Sequence, residues 1–594
     1  METNTMLQKC DNNDVEDQKM EKINWKNKFE FIFNIIGYNV GLGNIWRFSY
    51  LCFKNGGGAF LIPYLLCGFF CGLPLLFMEV SIGQFTRQGC IGVWNLVPLM
   101  RGIGYGSTLL CIYTLVYFVY AMAWCIYYTV HSFTSEALPW ATCGNSWNSD
   151  NCIASIRTNR SLKEMVENSS ISNYNISLEN SHLSTSEFWD NHVLQRSSGV
   201  HDMGGFSNWK MLGCFVSAWL MCYLCIAKGI RTSGKAAYVT VIVPYVLMFG
   251  LFIRGITLEG AGSGVMFFIT PNMTRLIDPE TWLDAGGQVL YSLGVCYGVL
   301  YGFGSYNKFN YDCYRSSYLF VGVCYGSSLF FGFVVFSFLG HMAHEQGKDI
   351  RNVVEGGPGL VFQVFPAEFA LLPASQLWSA LFFITLTGLA IDGSYATTEG
   401  CITAIQDYYR EYFGSQRRLH YLRIGFCFGL MILGLPLLLN GGIYIFEILN
   451  LYGASGICIL WLAMFETITI GWIYGVDRFY DDVKMMIGYY PPSFFKYCIK
   501  YISPTICAVI FVACCVKYTP LKMGNYIYPW WANMIGWFLS LSIVLCVPVY
   551  GMITMLQIKG TWKQKWRFSI TSSYRPEIKD DEKDANEKES FSVI

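Results

Sequence analysis

The chain has 594 residues, 53% of them hydrophobic and 17% aromatic, with only 14% charged. That is too apolar for one soluble core, and the apolar residues fall in runs of about 18–25, long enough to cross a bilayer. Basic and acidic side chains balance at 41 each, which argues against nucleic acid as a partner.

Residues 1–24 are polar and charged, with no apolar region ahead of a cleavage site, so no cleaved signal peptide is expected. They read as a disordered tail, as do residues 568–594 at the other end. Between them lie twelve candidate spans, at roughly 31–56, 60–86, 104–131, 209–228, 236–256, 283–304, 316–342, 375–402, 421–440, 444–473, 495–516 and 530–556. The first is interrupted at Gly37-Tyr38-Asn39-Val40-Gly41-Leu42-Gly43-Asn44, where Gly41 and Gly43 weaken the helix near mid-membrane. An unwound turn in lipid costs several kcal/mol unless it lines a polar site or is buried in protein, so backbone oxygens there are candidates for holding an ion.

An even number of spans puts both termini on one side. Lys22, Lys26 and Lys28, then Lys228, Arg231 and Lys235, then Arg410, Arg417 and Arg418, then Lys559, Lys563, Lys565 and Arg567 share that side. The positive-inside rule makes it cytoplasmic. The domain division is therefore a cytoplasmic tail 1–24, a membrane domain 25–557 and a cytoplasmic tail 558–594. The long loop 132–208 falls outside. It carries glycosylation acceptors at Asn159, Asn168 and Asn175, and Asn272 adds a fourth in another outside loop. Most of the 23 cysteines lie in spans, but Cys143 and Cys152 are the only pair in the long loop and are expected to form a disulfide.

Further along, Gly229 to Ala236 nearly spells a phosphate loop. It lacks the metal-binding hydroxyl and a preceding strand, and reads as a basic cytoplasmic loop. A second interrupted span follows at Ser292-Leu293-Gly294-Val295-Cys296-Tyr297-Gly298. Two such spans at corresponding places in two halves point to a secondary transporter with its site at the midplane. His341 and His344 are three apart with no third ligand nearby in sequence, and no catalytic motif suggests an enzyme. The terminal Phe591-Ser592-Val593-Ile594 has the hydroxyl and apolar end that a PDZ-domain protein captures.

The stretch from Gly37 through Asn44 to Ile45-Trp46-Arg47-Phe48, with Asn55-Gly56-Gly57-Gly58-Ala59-Phe60-Leu61-Ile62-Pro63-Tyr64, closely resembles the neurotransmitter:sodium symporters (solute carrier family 6). The likeness continues through Gln288 to Gly298, Gly304-Ser305-Tyr306-Asn307, Asp392 to Glu399 and Gly471-Trp472-Ile473-Tyr474-Gly475. It covers about 25–555 and is nearest to the GABA, glycine, betaine and taurine branch. The resemblance implies an all-α membrane fold of twelve helices. Ten of them would form a 5+5 inverted repeat with helices one and six broken, and two would be appended.

It also implies that Na+ and Cl− accompany a small-molecule substrate. Sodium site 2 would use Gly37, Val40, Leu389 and Asp392, with Gly393 where the family has a serine. Sodium site 1 would use Asn39, Asn44 and Ser292, with Cys324 where the family has asparagine, and sulfur is a poor ligand for sodium. Chloride would meet Tyr64, Gln288, Ser292 and Ser328. The substrate would meet Tyr38, Gly41, Gly43, Phe118, Tyr291 and Gly294. Phe118 replaces the tyrosine that binds the substrate carboxylate in relatives, Tyr117 beside it is expected to face elsewhere, and Tyr291 stands where phenylalanine is usual. The inner gate would be Lys22, Trp25, Tyr306 and Asp407. The outer gate would be Arg47, Asn450, Phe118 and Tyr291, with Asn450 in place of an acid. An ordinary hydrogen bond there, roughly half as strong as a charge-assisted one, predicts an outer gate that opens more easily.

The expectation is a plasma-membrane, sodium- and chloride-coupled symporter of a small amino acid or amino-acid-like substrate, working by alternating access among membrane lipid. The alternative is a transport-deficient relative serving as sensor, or as regulatory or trafficking partner, motivated by the changes at Phe118, Cys324, Gly393 and Asn450. A third possibility is transport coupled to one sodium only.

Overall fold

The computed structural model describes residues 24–154, 182–206, 208–347, 349–352, 360–454, 456–516, 518, 520–524 and 526–572. Lys22, Asn159, Asn168, Asn175 and the C-terminal motif lie outside the described residues. The described residues are all-helical apart from two short strand pairs. Among the described residues nine helices are long and apolar enough to cross a membrane, or ten if the bent pair Trp530–Val544 and Cys546–Gln557 is one span.

The elements around the centre are α1 (Lys28–Asn39), α2 (Phe48–Lys54), α3 (Gly58–Thr86), α4 (Pro98–Ser132), α5 (Trp209–Ile226), α6 (Ile230–Ile256), α7 (Pro279–Leu293), α8 (Val299–Gly304), α9 (Cys313–Gln346), α10 (Ser375–Tyr408) and α11 (Gly442–Ile487). α10 runs along α4 and α6, and α1 packs against α6, α9 and α10. Helices at the periphery keep apolar side chains outward: Val246 and Phe249 of α6 are 64% and 56% exposed, as a face toward lipid requires.

Two helical stretches of the bundle, over 28–54 and 279–304, are each broken. α1 stops at Val40, where ψ is 84°, and a tight π turn Gly43–Arg47 leads into α2. The freed backbone is satisfied locally, because the Asn44 side-chain oxygen accepts the Gly41 N–H at 3.2 Å. α7 ends on Gly294 in the left-handed region at φ 60°, and α8 starts after Gly298 at φ 80°. Between them Cys296 also has positive φ, 68°, which is unfavourable for any residue with a Cβ. Its N–H donates to Glu79 Oε1 at 2.6 Å, so a carboxyl group from α3 holds the turn that the helix abandoned.

Two sequence expectations need correction. The basic stretch after Gly229 is not a loop: α6 begins at Ile230, so Arg231 and Lys235 lie in its first turns. Order also continues past 568, because a helix Trp562–Ile570 is closed by a capping box between Thr561 and Gln564. His341, which the sequence does not favour as a metal ligand, has its ring against the Glu259 carbonyl at 2.8 Å and Glu368 at 3.5 Å.

In the long loop Cys143 and Cys152 are joined by a disulfide across a separation of 9 residues. For a ring of that size the chain-entropy argument gives about 2–3 kcal/mol. The double Ser variant is expected to melt at lower temperature and to be cut by trypsin in this loop at concentrations that spare the native protein. Asn272 is exposed and caps a short helical turn, its oxygen accepting the Thr274 hydroxyl at 2.6 Å.

Candidate functional site

The two breaks face each other. The Tyr38 hydroxyl donates to the Gly294 carbonyl at 2.8 Å, tying the end of α1 to the end of α7. A Cβ on Gly294 would lie 2.3 Å from the Tyr38 ring, and φ there is already left-handed. Gly294→Ala is therefore expected to cost at least about 1–2 kcal/mol in backbone strain and to displace Tyr38. A lowered melting temperature and lost uptake would both report it. A Cβ at Gly43 would lie 2.6 Å from the Tyr291 ring, so the glycine makes room for that phenol.

Around Asp392 the structure gathers the residues proposed for sodium site 2. Asp392 is fully buried, and a Cβ on Gly37 would fall 2.8 Å from its carboxyl carbon. Glycine at 37 thus lets the backbone of α1 approach the carboxylate. The Leu389 carbonyl lies 3.9 Å from a Cβ built on Gly41, which places the same turn of α10 beside the break. Asp392 Oδ1 accepts from the Thr240 hydroxyl of α6, while Oδ2 is buried without a hydrogen-bond partner. Gly393 faces Phe118, whose ring would be 3.1 Å from a Cβ there. The aromatic ring fills the space next to the absent serine side chain.

The residues of proposed site 1 also converge. Cys324 Sγ stands 3.5 Å from the Asn39 carbonyl, 3.6 Å from the Ser292 carbonyl and 3.4 Å from Asn44 Nδ2. The Asn39 amide is buried with neither its nitrogen nor its oxygen hydrogen-bonded. Beside this group lie the chloride candidates. Tyr64 Oη and Ser328 Oγ are 3.2 Å apart, and Asn44 Nδ2 donates to Ser328 Oγ at 2.9 Å. Gln288 donates to the Gly43 carbonyl at 3.1 Å and leaves Oε1 buried and unpaired, and the Ser292 hydroxyl donates to the Val289 carbonyl at 3.3 Å.

At the end of the bundle nearer the N-terminus the aromatic latch is closed. The Trp25 indole donates to the Phe303 carbonyl at 3.1 Å and stacks edge-on to Tyr306, whose hydroxyl meets Thr403 at 2.8 Å. Asp407 accepts the Gly89 N–H at 2.7 Å. At the other end Arg47, Phe118, Tyr291 and Asn450 are only partly buried. The guanidinium of Arg47 lies over the Tyr291 ring, 4.5 Å from its centre, with Nη1 lacking a hydrogen-bond partner. Asn450 meets Glu447 one helical turn earlier. Tyr117, expected to face elsewhere, instead buries an unpartnered phenol near Tyr291 and Tyr297.

Sequence reasoning missed Thr240, Tyr117 and the pair Glu79 and Glu466. Glu79 sits inside Leu76-Phe77-Met78-Glu79-Val80, and an acid in an apolar run was the available signal. Thr240 offered none, since hydroxyls are common in spans.

Two helices broken face to face inside an apolar bundle, with a buried carboxylate beside one break, define a membrane carrier rather than an enzyme. The chain belongs to the sodium:neurotransmitter symporter family, whose model matches residues 22–558. It is 40% identical over 557 residues to the sodium- and chloride-dependent GABA transporter 2 of Homo sapiens, covering 93% of this chain and 90% of the relative. The same protein of Rattus norvegicus is 40% identical over 554 residues, again 93% of this chain and 90% of the relative. The sodium- and chloride-dependent creatine transporter 1 of Mus musculus is 41% identical over 548 residues, 91% of this chain and 85% of the relative.

Proposed function

We propose that the chain is a sodium- and chloride-dependent symporter of the plasma membrane, carrying a small amino-acid-like substrate of the GABA or creatine kind. Adding the two broken stretches to the ten other candidates makes twelve helices; in this reading ten of them would form two inverted halves, with both termini cytoplasmic and the long loop outside. The observation that carries the reading is the Tyr38 to Gly294 hydrogen bond between the two breaks, with Asp392 and its unpartnered oxygen alongside. A closed latch at Trp25 and Tyr306 with a half-open Arg47 end corresponds to the outward-facing state of alternating access. Sodium would bind at the Asp392 site, and chloride at Tyr64, Gln288, Ser292 and Ser328. Ion binding would favour the outward state, and the substrate would then permit rocking of the elements that carry the breaks.

Uptake of radiolabelled GABA, creatine, betaine, taurine, glycine and proline, with sodium replaced by choline or chloride by gluconate, tests the proposal. Uptake of at least one substrate should fall to background without sodium. No uptake and no current from protein shown to be at the cell surface would overturn it in favour of a regulatory or sensing role.

A further inference from the structure

We infer that this carrier couples its substrate to a single sodium ion, held at the Asp392 site, and that the group around Cys324 no longer takes one. The inference rests on the symporter reading above and goes beyond it to stoichiometry.

The two candidate cation sites differ in charge and in what their oxygens already do. At the Cys324 site no ligand carries a formal charge. The carbonyls of Asn39 and Ser292 each face the Cys324 thiol, and the Asn44 side-chain oxygen accepts the Gly41 N–H at 3.2 Å. The Asn44 amide nitrogen is turned toward Ser328 and Cys324. Apart from the unpaired Asn39 amide, the group is thus linked by its own hydrogen bonds. A sodium ion entering it would displace those contacts and gain a sulfur where a hard cation wants oxygen.

The Asp392 site is the opposite case. It holds a fully buried carboxylate, whose Oδ2 lacks a hydrogen-bond partner within bonding distance, with the Tyr395 phenol as its other polar neighbour. No Lys or Arg is paired with it among the described residues, so the charge awaits a cation. The hydroxyl missing at Gly393 has a substitute at the same carboxylate: Thr240, from α6, hydrogen-bonds Asp392 Oδ1. A hydroxyl oxygen can coordinate a cation while its proton points to the Ala236 carbonyl or to the carboxylate, so Thr240 is placed to complete the ligand set. The loss of an oxygen at Cys324 and the supply of one by Thr240 both shift binding to one site.

Radioactive sodium binding to purified protein in detergent tests this without knowledge of the substrate, and uptake in proteoliposomes gives the coupling ratio. Saturation at one sodium per protein is expected, with a Hill coefficient of about 1 for sodium activation. Thr240→Val should weaken sodium binding several-fold. Cys324→Asn should add a second sodium and raise the Hill coefficient toward about 2, with Cys324→Ser, closer in size to the native side chain, as the variant that reports if the first misfolds. Two sodium ions per wild-type protein, or binding indifferent to both Cys324 variants and to Thr240→Val, would overturn the inference. Either result with sodium-dependent uptake intact leaves the symporter reading standing. Absence of any sodium-dependent uptake overturns that reading instead.

Discussion

Asp392→Asn is expected to abolish sodium-driven uptake while leaving a folded protein at the cell surface. Asparagine keeps the size of the side chain and an oxygen for the Thr240 hydroxyl, so the helix contacts between α6 and α10 survive. What disappears is the buried carboxylate charge beside the break of α1. A unit charge about 4 Å from a cation is worth about 4 kcal/mol at the effective dielectric of a protein site. That corresponds to roughly a thousand-fold in sodium affinity, since each 1.4 kcal/mol is about tenfold. Sodium activation would move out of reach, and the thermal stabilisation that sodium gives the purified native protein would vanish. Surface biotinylation separates this from misfolding. Native-like sodium activation in the variant would remove Asp392 from the coupling site, and the single-site inference with it.

The fold was largely legible because glycine and intramembrane polarity leave marks in sequence. The Gly41 and Gly43 signal located the first break, although the helix stops at Val40, and Gly294 and Gly298 bracket the second where φ turns positive. Cys296 escaped notice because nothing about a cysteine in an apolar run announces a left-handed backbone; the Glu79 acceptor that holds it is more than 200 residues away. The same distance problem hid Thr240 against Asp392 and Glu368 against His341. Departures from the family pattern were readable one at a time, but their pairing was not. Phe118 and Gly393 are neighbours in space, so the loss of a side chain at one and of a hydroxyl at the other belong to a single repacked wall.

The buried pair Glu79 and Glu466 yields the other large expected effect: Glu79→Ala should lose most transport, whereas Glu79→Gln should retain a substantial part. Both acids are fully buried, on α3 and α11, and with Cys296 they place ligand atoms within 4.8 Å of one another. Glu79 Oε1 holds the Cys296 N–H, and the Cys296 thiol reaches Glu466 Oε2 at 3.5 Å. Alanine strands a buried N–H in the broken turn, costing about 1–3 kcal/mol. It also frees the segment that positions the Gly294 carbonyl for Tyr38. Glutamine keeps an acceptor for the Cys296 N–H, so the anchor persists. Cys296→Gly is the companion control: it removes the thiol, suits φ 68° and keeps the backbone donor, and should be close to native. Uptake normalised to surface protein should therefore fall in the order native, Cys296→Gly, Glu79→Gln, Glu79→Ala. If glutamine proves as damaging as alanine, the ionisable proton of the pair, and not its grip on the broken helix, is what transport requires.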